Sequence, residues 1–227
     1  MQVVPPKSWV ARQSGYEDLE FPVKRPIEQN VQSTGARGVY ELTLIEKVSR
    51  TLERFMTEAE RCERITDGKN VPQTEKLVSE SLLNQLKFWR SLMNNSPLYG
   101  ADVAGSLFDK GVAWNLVEIQ TLLKKGLDGL QIKGVSSPYV YVGQWKAMFG
   151  WHKEDLDLYS INYLHHGKPK FWYSVNMTDN QKFERFMNRQ YPENYKRCKE
   201  FIRHKNTVVN PRTLRAEGIK MTKGLHE

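Results

Sequence analysis

The stretch FGWHKEDLDLYSINYL, residues 149–164, decides how the chain is interpreted. It is rich in aromatic and branched residues, as β-strands are, and it carries His152 and Glu154 two positions apart. Residues i and i+2 of a strand point to the same face, so this imidazole and this carboxylate can bind one metal ion. The alternative is that both are ordinary polar residues on the surface of a strand, since His-x-Glu is common by chance.

The residues around this pair favour an oxygenase. A His-x-carboxylate pair with a distant histidine forms the facial triad of non-haem Fe(II) oxygenases. Zinc deaminases use His-x-Glu with a downstream C-x-x-C, which this sequence lacks. Asn162 and Lys170 are expected on the following strands, with Trp172 on the face of Lys170. Lys170 can bind the far carboxylate of 2-oxoglutarate, although a solvated strand lysine is the plainer interpretation.

Length and composition predict one large folded domain, alone or with a small appendage. The 227 residues are 39% hydrophobic and 11% aromatic, and they include only two cysteines, too few for a disulfide framework. No apolar run is long enough to span a bilayer and no signal-peptide core is present, so we expect a soluble intracellular protein without a membrane partner. The net charge of +8 favours a polyanionic neighbour such as chromatin, and leaves direct nucleic-acid binding open.

The order of predicted elements is a mostly helical first half followed by strands with helical insertions. Residues 1–40 are expected to form an extended arm, because prolines interrupt it and glycines loosen it. The spacing of apolar residues predicts helices over 41–65 and 75–93, and a shorter helix between Asn115 and Gly126. Further predicted elements are the strands PYVYVGQW, DLYSINYL, KFWYSV and NTVVNP, and helices capped by Thr178 and opened by Pro192.

Three segments closely resemble the JmjC histone lysine demethylases, within the JmjN–JmjC subfamily that acts on trimethyl-lysine of histone H3. They are PLYGADVAGSLF (97–108), GVSSPYVYVGQWKAMFGWHKEDLDLYSINYLHHGKPKFWYSV (134–175) and CKEFIRHK (198–205). VVPPKSW near the start resembles the tail of the JmjN segment. The resemblance implies an α+β fold, a partial double-stranded β-helix (the jelly-roll, cupin-like JmjC barrel) with a helical N-terminal region and helical insertions.

The same resemblance implies a division of the chain. Residues 1–40 would be an extended arm with a remnant of JmjN. Residues 41–133 would be a helical linker and the start of the catalytic core. Residues 134–227 would be the first part of the JmjC jelly-roll with its zinc-site helices.

The resemblance also implies roles for individual residues. His152 and Glu154 match the first two iron ligands. The residues that match the 2-oxoglutarate site are Tyr99, Phe149, Asn162, Lys170, Trp172 and Lys205. Those that match the surface around the methylated lysine and the histone tail are Asp102, Gly134, Tyr139, Tyr141 and Asp155. Cys198 and His204 match two ligands of a structural zinc.

Two parts of the family pattern are not found in the sequence. The third iron ligand is a histidine after a G-E-F-type segment, and the sequence ends at Glu227 before that segment. His226 is expected in the loop ahead of it and is not assigned as a ligand. The two downstream cysteines of the zinc site are also absent. We therefore expect a fragment that carries the first half of the barrel.

The implied function is Fe(II)- and 2-oxoglutarate-dependent oxidative demethylation of tri- or dimethyl-lysine in histone H3, at its ninth or thirty-sixth lysine. Formaldehyde and succinate would be released, the partners would be the H3 tail and chromatin, and the location would be the nucleus. One alternative is a catalytically incomplete chromatin-binding fragment. Another is a JmjC protein hydroxylase, which the PYVYVG tyrosines disfavour because they match the methyl-lysine cage.

Overall fold

The computed structural model describes residues 4–17, 19–67 and 80–226. Its strands are β1 Pro22–Val23, β2 Ile27–Ser33, β3 Val39–Glu46, β4 Arg50–Thr51, β5 Leu98–Ala104, β6 Tyr139–Gly143, β7 Lys170–Val175, β8 Thr207–Val209 and β9 Met221–His226. Its helices are α1 Leu52–Asp67, α2 Glu80–Arg90, α3 Leu122–Gly126, α4 Asn180–Gln190, α5 Pro192–Arg197 and α6 Pro211–Ala216. None of the described helices is both long and apolar enough to cross a membrane.

The largest sheet has five antiparallel strands in the order β6-β5-β2-β3-β8. Two smaller sheets pair β7 with β9 and β1 with β4, also antiparallel. Antiparallel sheets combined with separate helices confirm the predicted α+β class.

Residues 27–46 form a β-hairpin, and the helix predicted from residue 41 was wrong in this part. Strand β2 lies inside the predicted arm, and α1 begins only at Leu52. The glycines expected to loosen the arm instead form the turn, where the Val39 amide donates to the Ala36 carbonyl at 3.1 Å. The helical spacing of Ile45, Val48 and Leu52 is accidental, because it runs across a strand, a turn and the start of a helix.

Two predicted helices are shorter than expected. The carbonyls of Val117 and Ile119 accept hydrogen bonds from the Lys124 ammonium at 2.8 and 3.0 Å instead of continuing a helix, so α3 begins only after Thr121. The helix opened by Pro192 ends at Arg197, and a 3-10 turn, Phe201–His204, follows it. The segment 75–79 of the second predicted helix lies outside the described residues.

The main core lies between α4, α6 and the end of the five-stranded sheet. Phe183, Phe186 and Met187 of α4 pack against Phe201 and Leu214, and all five are buried. Trp151 is packed against this core, and its indole donates to the Val209 carbonyl at 3.0 Å. The core therefore fixes the chain one residue before His152.

Candidate active site

His152 and Glu154 face each other although the segment that carries them is not a β-strand. Between residues 149 and 164 the only regular element is the 3-10 turn Asp155–Asp157, so the strand predicted here was wrong. The backbone is held differently: the Gly150 and Trp151 amides donate to the carbonyls of Lys205 and Thr207 at 2.9 and 2.8 Å. Even so, Nε2 of His152 lies 3.7 Å from Oε1 of Glu154.

Hydrogen bonds orient both side chains. Nδ1 of His152 lies 2.9 Å from the Gly150 carbonyl, and an Nδ1–H donor there leaves the Nε2 lone pair directed at Glu154. The Ser160 hydroxyl donates to Oε1 of Glu154 at 2.8 Å. Gly150 is required because a Cβ there would lie 2.5 Å from the Thr207 carbonyl oxygen.

This pair fits two ligands of one divalent ion. Donor atoms about 2 Å from a shared ion lie 3–4 Å apart, as these do, and a bonded outer nitrogen is usual for a metal-binding histidine. In the described part of the chain, no group of three His, Cys, Asp or Glu side chains is placed to hold a metal. The geometry is therefore compatible with the prediction that His152 and Glu154 are two of the three protein ligands of a facial triad.

Aromatic rings form a wall beside the pair. The Phe149 ring stands edge-on to the His152 ring at 5.0 Å and lies 5.2 Å from the Trp172 ring. Trp172 is the third residue of β7, two positions after Lys170. The predicted cosubstrate wall is therefore brought next to His152, and it can exclude water from it.

Lys170 and Asn162 are also brought together. The ammonium of Lys170 lies 3.4 Å from Oδ1 of Asn162, and burial lowers the pKa of Lys170. Asn162 lies in an irregular segment instead of on the strand predicted for it, whereas Lys170 begins β7. A half-buried cation with one weak polar contact is suited to bind an anionic group.

His226 lies on β9, directly opposite Lys170 of β7, so its expected position in a loop was wrong. Residues opposite each other in an antiparallel pair share a face, so His226 stands beside the Lys170 side chain. Burial and the Lys170 charge lower the pKa of His226. The segment MTKGLH has few β-branched or aromatic residues, so its composition gave little sign of a strand.

The tyrosines predicted to surround the methylated lysine, Tyr139 and Tyr141 of β6, form one cluster with Tyr99 of β5. Ala101 and Asp102 together oppose Tyr141 in a β-bulge, and the Tyr141 hydroxyl donates to Oδ1 of Asp102 at 3.0 Å. The rings of Tyr99 and Tyr141 stack at 5.9 Å, and Tyr139 stands edge-on to Tyr141 at 6.3 Å.

Burial and the Asp102 charge raise the pKa of Tyr99 and of Tyr141 well above the ordinary value. Both hydroxyls therefore stay protonated at neutral pH. Gly134 has φ +77° and lies against Tyr139, because a Cβ there would lie 2.4 Å from its ring. The cluster therefore places hydroxyl and carboxylate oxygens beside aromatic rings.

The remaining predicted residues are placed less closely. The backbone carbonyl of Lys205 accepts a hydrogen bond from the Gly150 amide. Asp155 is exposed and begins its 3-10 turn. Cys198 follows the last residue of α5 and packs beside the main core, and His204 ends the next 3-10 turn. Over the described ranges these two residues belong to no group of three metal-binding side chains.

Two residues of the site were not found from the sequence, namely Ser160 and Arg203. Ser160 bonds the Glu154 carboxylate, and Arg203 bonds the Glu154 carbonyl and Oδ1 of Asp157, the latter at 2.9 Å. The resemblance assigns a role to neither of them, and Arg203 is 49 residues from Glu154 in the chain. Only the three-dimensional structure brings them to the site.

Comparison with protein families gives a match over residues 139–227 to the JmjC domain, hydroxylase, family. This range contains His152, Glu154, Asn162 and Lys170. Residues 139–227 are a JmjC domain. The sheet with its helices is therefore the cupin-like fold that the sequence resemblance implied, and that resemblance is confirmed.

The similar curated proteins carry the name lysine-specific demethylase. The chain is 38% identical to lysine-specific demethylase 4D of Rattus norvegicus over 222 residues, covering 96% of this chain and 41% of that protein. It is 36% identical to lysine-specific demethylase 4B of Mus musculus over 226 residues, covering 98% and 20% respectively. It is 35% identical to probable lysine-specific demethylase 4F of Homo sapiens over 234 residues, covering 100% and 34%.

The JmjC match and these relatives show that the chain is similar to lysine-specific demethylases. The chain spans between a fifth and about two fifths of the length of these relatives.

Proposed function

We propose that this JmjC domain belongs to an enzyme that removes methyl groups from tri- or dimethyl-lysine of histone H3, at the ninth or thirty-sixth lysine. The proposal rests on the His152–Glu154 pair with a half-buried Lys170 nearby, in a chain similar to proteins named lysine-specific demethylases. When bound, Fe(II) with 2-oxoglutarate and dioxygen would supply the oxidising chemistry, and succinate and formaldehyde would be released.

Each part of the site has a distinct role in this proposal. His152 and Glu154 hold the ion, and the Lys170 ammonium with Asn162 binds the far carboxylate of 2-oxoglutarate. Phe149 and Trp172 exclude water from this region. The Tyr99 hydroxyl donates a hydrogen bond to the same cosubstrate, and Lys205 lies at the margin of the pocket.

The substrate would approach the tyrosine cluster. A methylated ammonium carries its positive charge on its methyl groups, and it is attracted by carboxylate and hydroxyl oxygens and by aromatic faces. Asp102, Tyr139 and Tyr141 supply all three, while Gly134 keeps the entrance open. Asp155 lies on the exposed turn after Glu154, where its charge would attract the basic H3 tail.

The remaining features belong to the same proposal. Cys198 and His204 would supply two of the four ligands of a structural zinc, and VVPPKSW at residues 3–9 would be the end of a JmjN segment. The division at residues 40 and 133 would separate arm, linker and jelly-roll. The protein would act in the nucleus on chromatin.

A trimethylated H3 peptide incubated with the protein, Fe(II), ascorbate and 2-oxoglutarate tests the proposal. We expect release of formaldehyde, peptide products lighter by one methyl group, and loss of both in His152→Ala. A product heavier by one oxygen atom would indicate the hydroxylase instead. No turnover and no peptide binding would contradict the proposal.

A methyl-lysine-binding function without catalysis is the second candidate. It is favoured by the absence of a third metal-binding side chain from the described part of the site. Calorimetry with methylated and unmethylated H3 peptides tests it, and tighter binding of the methylated peptide without turnover is its expected result.

A further inference from the structure

Arg203 joins the segment that carries Glu154 to the segment that carries Cys198 and His204. Its Nε donates to Oε2 of Glu200 at 2.9 Å and its Nη2 to Oδ1 of Asp157, also at 2.9 Å. Its Nη1 donates to the backbone carbonyl of Glu154. All three nitrogens of the guanidinium are therefore used, and the side chain is only 20% exposed.

Besides Arg203, the turn after Glu154 is held by backbone hydrogen bonds from the Asp157 and Leu158 amides. Leu156 and Asp157 both have left-handed backbone conformations, with φ 54° and 53°. Such conformations are unfavourable for side chains other than glycine, so surrounding contacts must maintain them. Leu156 is 84% exposed and contributes no core packing. The Asp157 amide closes the turn onto the Glu154 carbonyl at 3.1 Å, the same oxygen that Arg203 binds.

We propose that Arg203 is a positioning residue that fixes the Glu154 carboxylate opposite His152. The inference deepens the proposed function and rests on it. Arg203 fixes the backbone of Glu154 while Ser160 fixes its carboxylate, so the residue is held at both ends. The guanidinium fork suits this role, since it binds a carboxylate and a carbonyl in fixed geometry where a lysine would make a single contact.

Arg203 also couples the position of its own 3-10 turn, Phe201–His204, to the position of Glu154. It lies between Cys198 and His204, and its neighbours Phe201 and Ile202 are buried in the main core. The core therefore holds the 3-10 turn, the turn holds Arg203, and Arg203 holds the backbone of Glu154. A shift of the 198–204 segment would therefore displace the backbone of Glu154.

Substitution of Arg203 tests this with two readouts, Co(II) affinity by calorimetry and amide hydrogen exchange of residues 155–158. In Arg203→Met we expect Co(II) to bind about ten-fold more weakly, the size of effect typical of outer contacts to a metal ligand. Exchange in the turn should become faster, and Arg203→Lys should fall between Met and the wild type. Arg189→Met removes another arginine–glutamate pair, that with Glu217 at 2.7 Å, and should change neither readout.

Unchanged Co(II) affinity and exchange in a folded Arg203→Met would overturn the inference. If that variant does not fold, Asp157→Asn removes the negative charge from one of the three contacts at an exposed residue, and it must accelerate exchange of the same amides. A wild-type protein that binds no Co(II), or binds it equally in His152→Ala, would contradict the proposed function. Exchange of the metal-free protein would then still decide whether Arg203 holds the turn.

Discussion

Among single residues, Lys170 offers a direct test of cosubstrate binding. Its half-buried ammonium makes a weak 3.4 Å contact with Asn162, and burial lowers its pKa. In Lys170→Met we expect 2-oxoglutarate affinity to fall roughly 30-fold, the loss of one charge-assisted hydrogen bond of about 2 kcal/mol. Stability should not fall, because the variant removes a charged group that the folded state desolvates.

Calorimetry with 2-oxoglutarate and Co(II), with a melting curve for each variant, measures both effects. Lys168→Met, at an exposed lysine two residues earlier, is the matched control. An equal loss of affinity in the control would show that only the general positive charge matters, and not the position of Lys170.

The residues that could be predicted from the sequence are those that spacing or the family resemblance indicates. His152 and Glu154 were paired from their spacing, and they do face each other although the predicted strand was wrong, because an extended unpaired backbone also brings i and i+2 together. Ser160 reaches Glu154 through the intervening turn, and Arg203 and His226 reach the site through contacts between distant segments. No spacing rule covers such contacts, so these residues could not be found from the sequence.

At the scale of elements, the β2–β3 hairpin and α6 depend on close packing at Gly38. This glycine has φ +74°, and a Cβ there would lie 2.2 Å from Oγ1 of Thr213 in α6. In Gly38→Ala we expect a loss of unfolding free energy of about 2–4 kcal/mol, from backbone strain together with overpacking.

Gly35→Ala in the same turn is the control. Gly35 also has a positive φ, +92°, but a Cβ there would meet nothing within 4 Å. Its cost should be limited to backbone strain of about 1 kcal/mol. Urea unfolding of the two variants measures the difference, and equal losses would contradict the predicted contact with α6.

Elements were predictable where local composition and packing agree. Strands β6 and β7 are rich in tyrosine, valine and tryptophan and were predicted correctly. Strand β2 was missed because residues such as Gln29 and Asn30 are polar, and β3 because the spacing of Ile45 to Val48 and Leu52 was interpreted as helical. Strand pairing between segments is a tertiary effect that overrides local preference.

At the scale of the whole molecule, residues 4–17 of the predicted arm pack onto two distant segments. The Trp9 indole donates to the Ala113 carbonyl at 2.8 Å, and its ring lies 5.4 Å from Tyr163. The Tyr16 hydroxyl lies 2.9 Å from Nδ1 of His165. Tyr163 follows Asn162 directly and His165 lies three residues after it, so the arm supports the segment that carries a predicted cosubstrate ligand.

This contact makes stability depend on pH. Burial, with a further contribution from the Arg12 charge, lowers the pKa of His165 to about 4. The unfolded chain takes up a proton here below about pH 6.5, whereas the folded chain does not until pH falls much further. The contribution of His165 to the free energy of unfolding is therefore fully present above about pH 6.5, and it declines as pH falls towards 4.

We expect His165→Gln to remove this decline. The full shift corresponds to about 3 kcal/mol, and partial exposure of the ring reduces the effect to on the order of 1–2 kcal/mol. Urea unfolding between pH 7.5 and pH 4.5 should show a smaller loss of stability in His165→Gln than in the wild type, while Tyr16→Phe, which keeps His165, should retain most of the pH dependence. Equal pH dependence in His165→Gln and the wild type would mean that His165 is protonated as easily in the folded chain as in the unfolded one, and that the arm does not shield it.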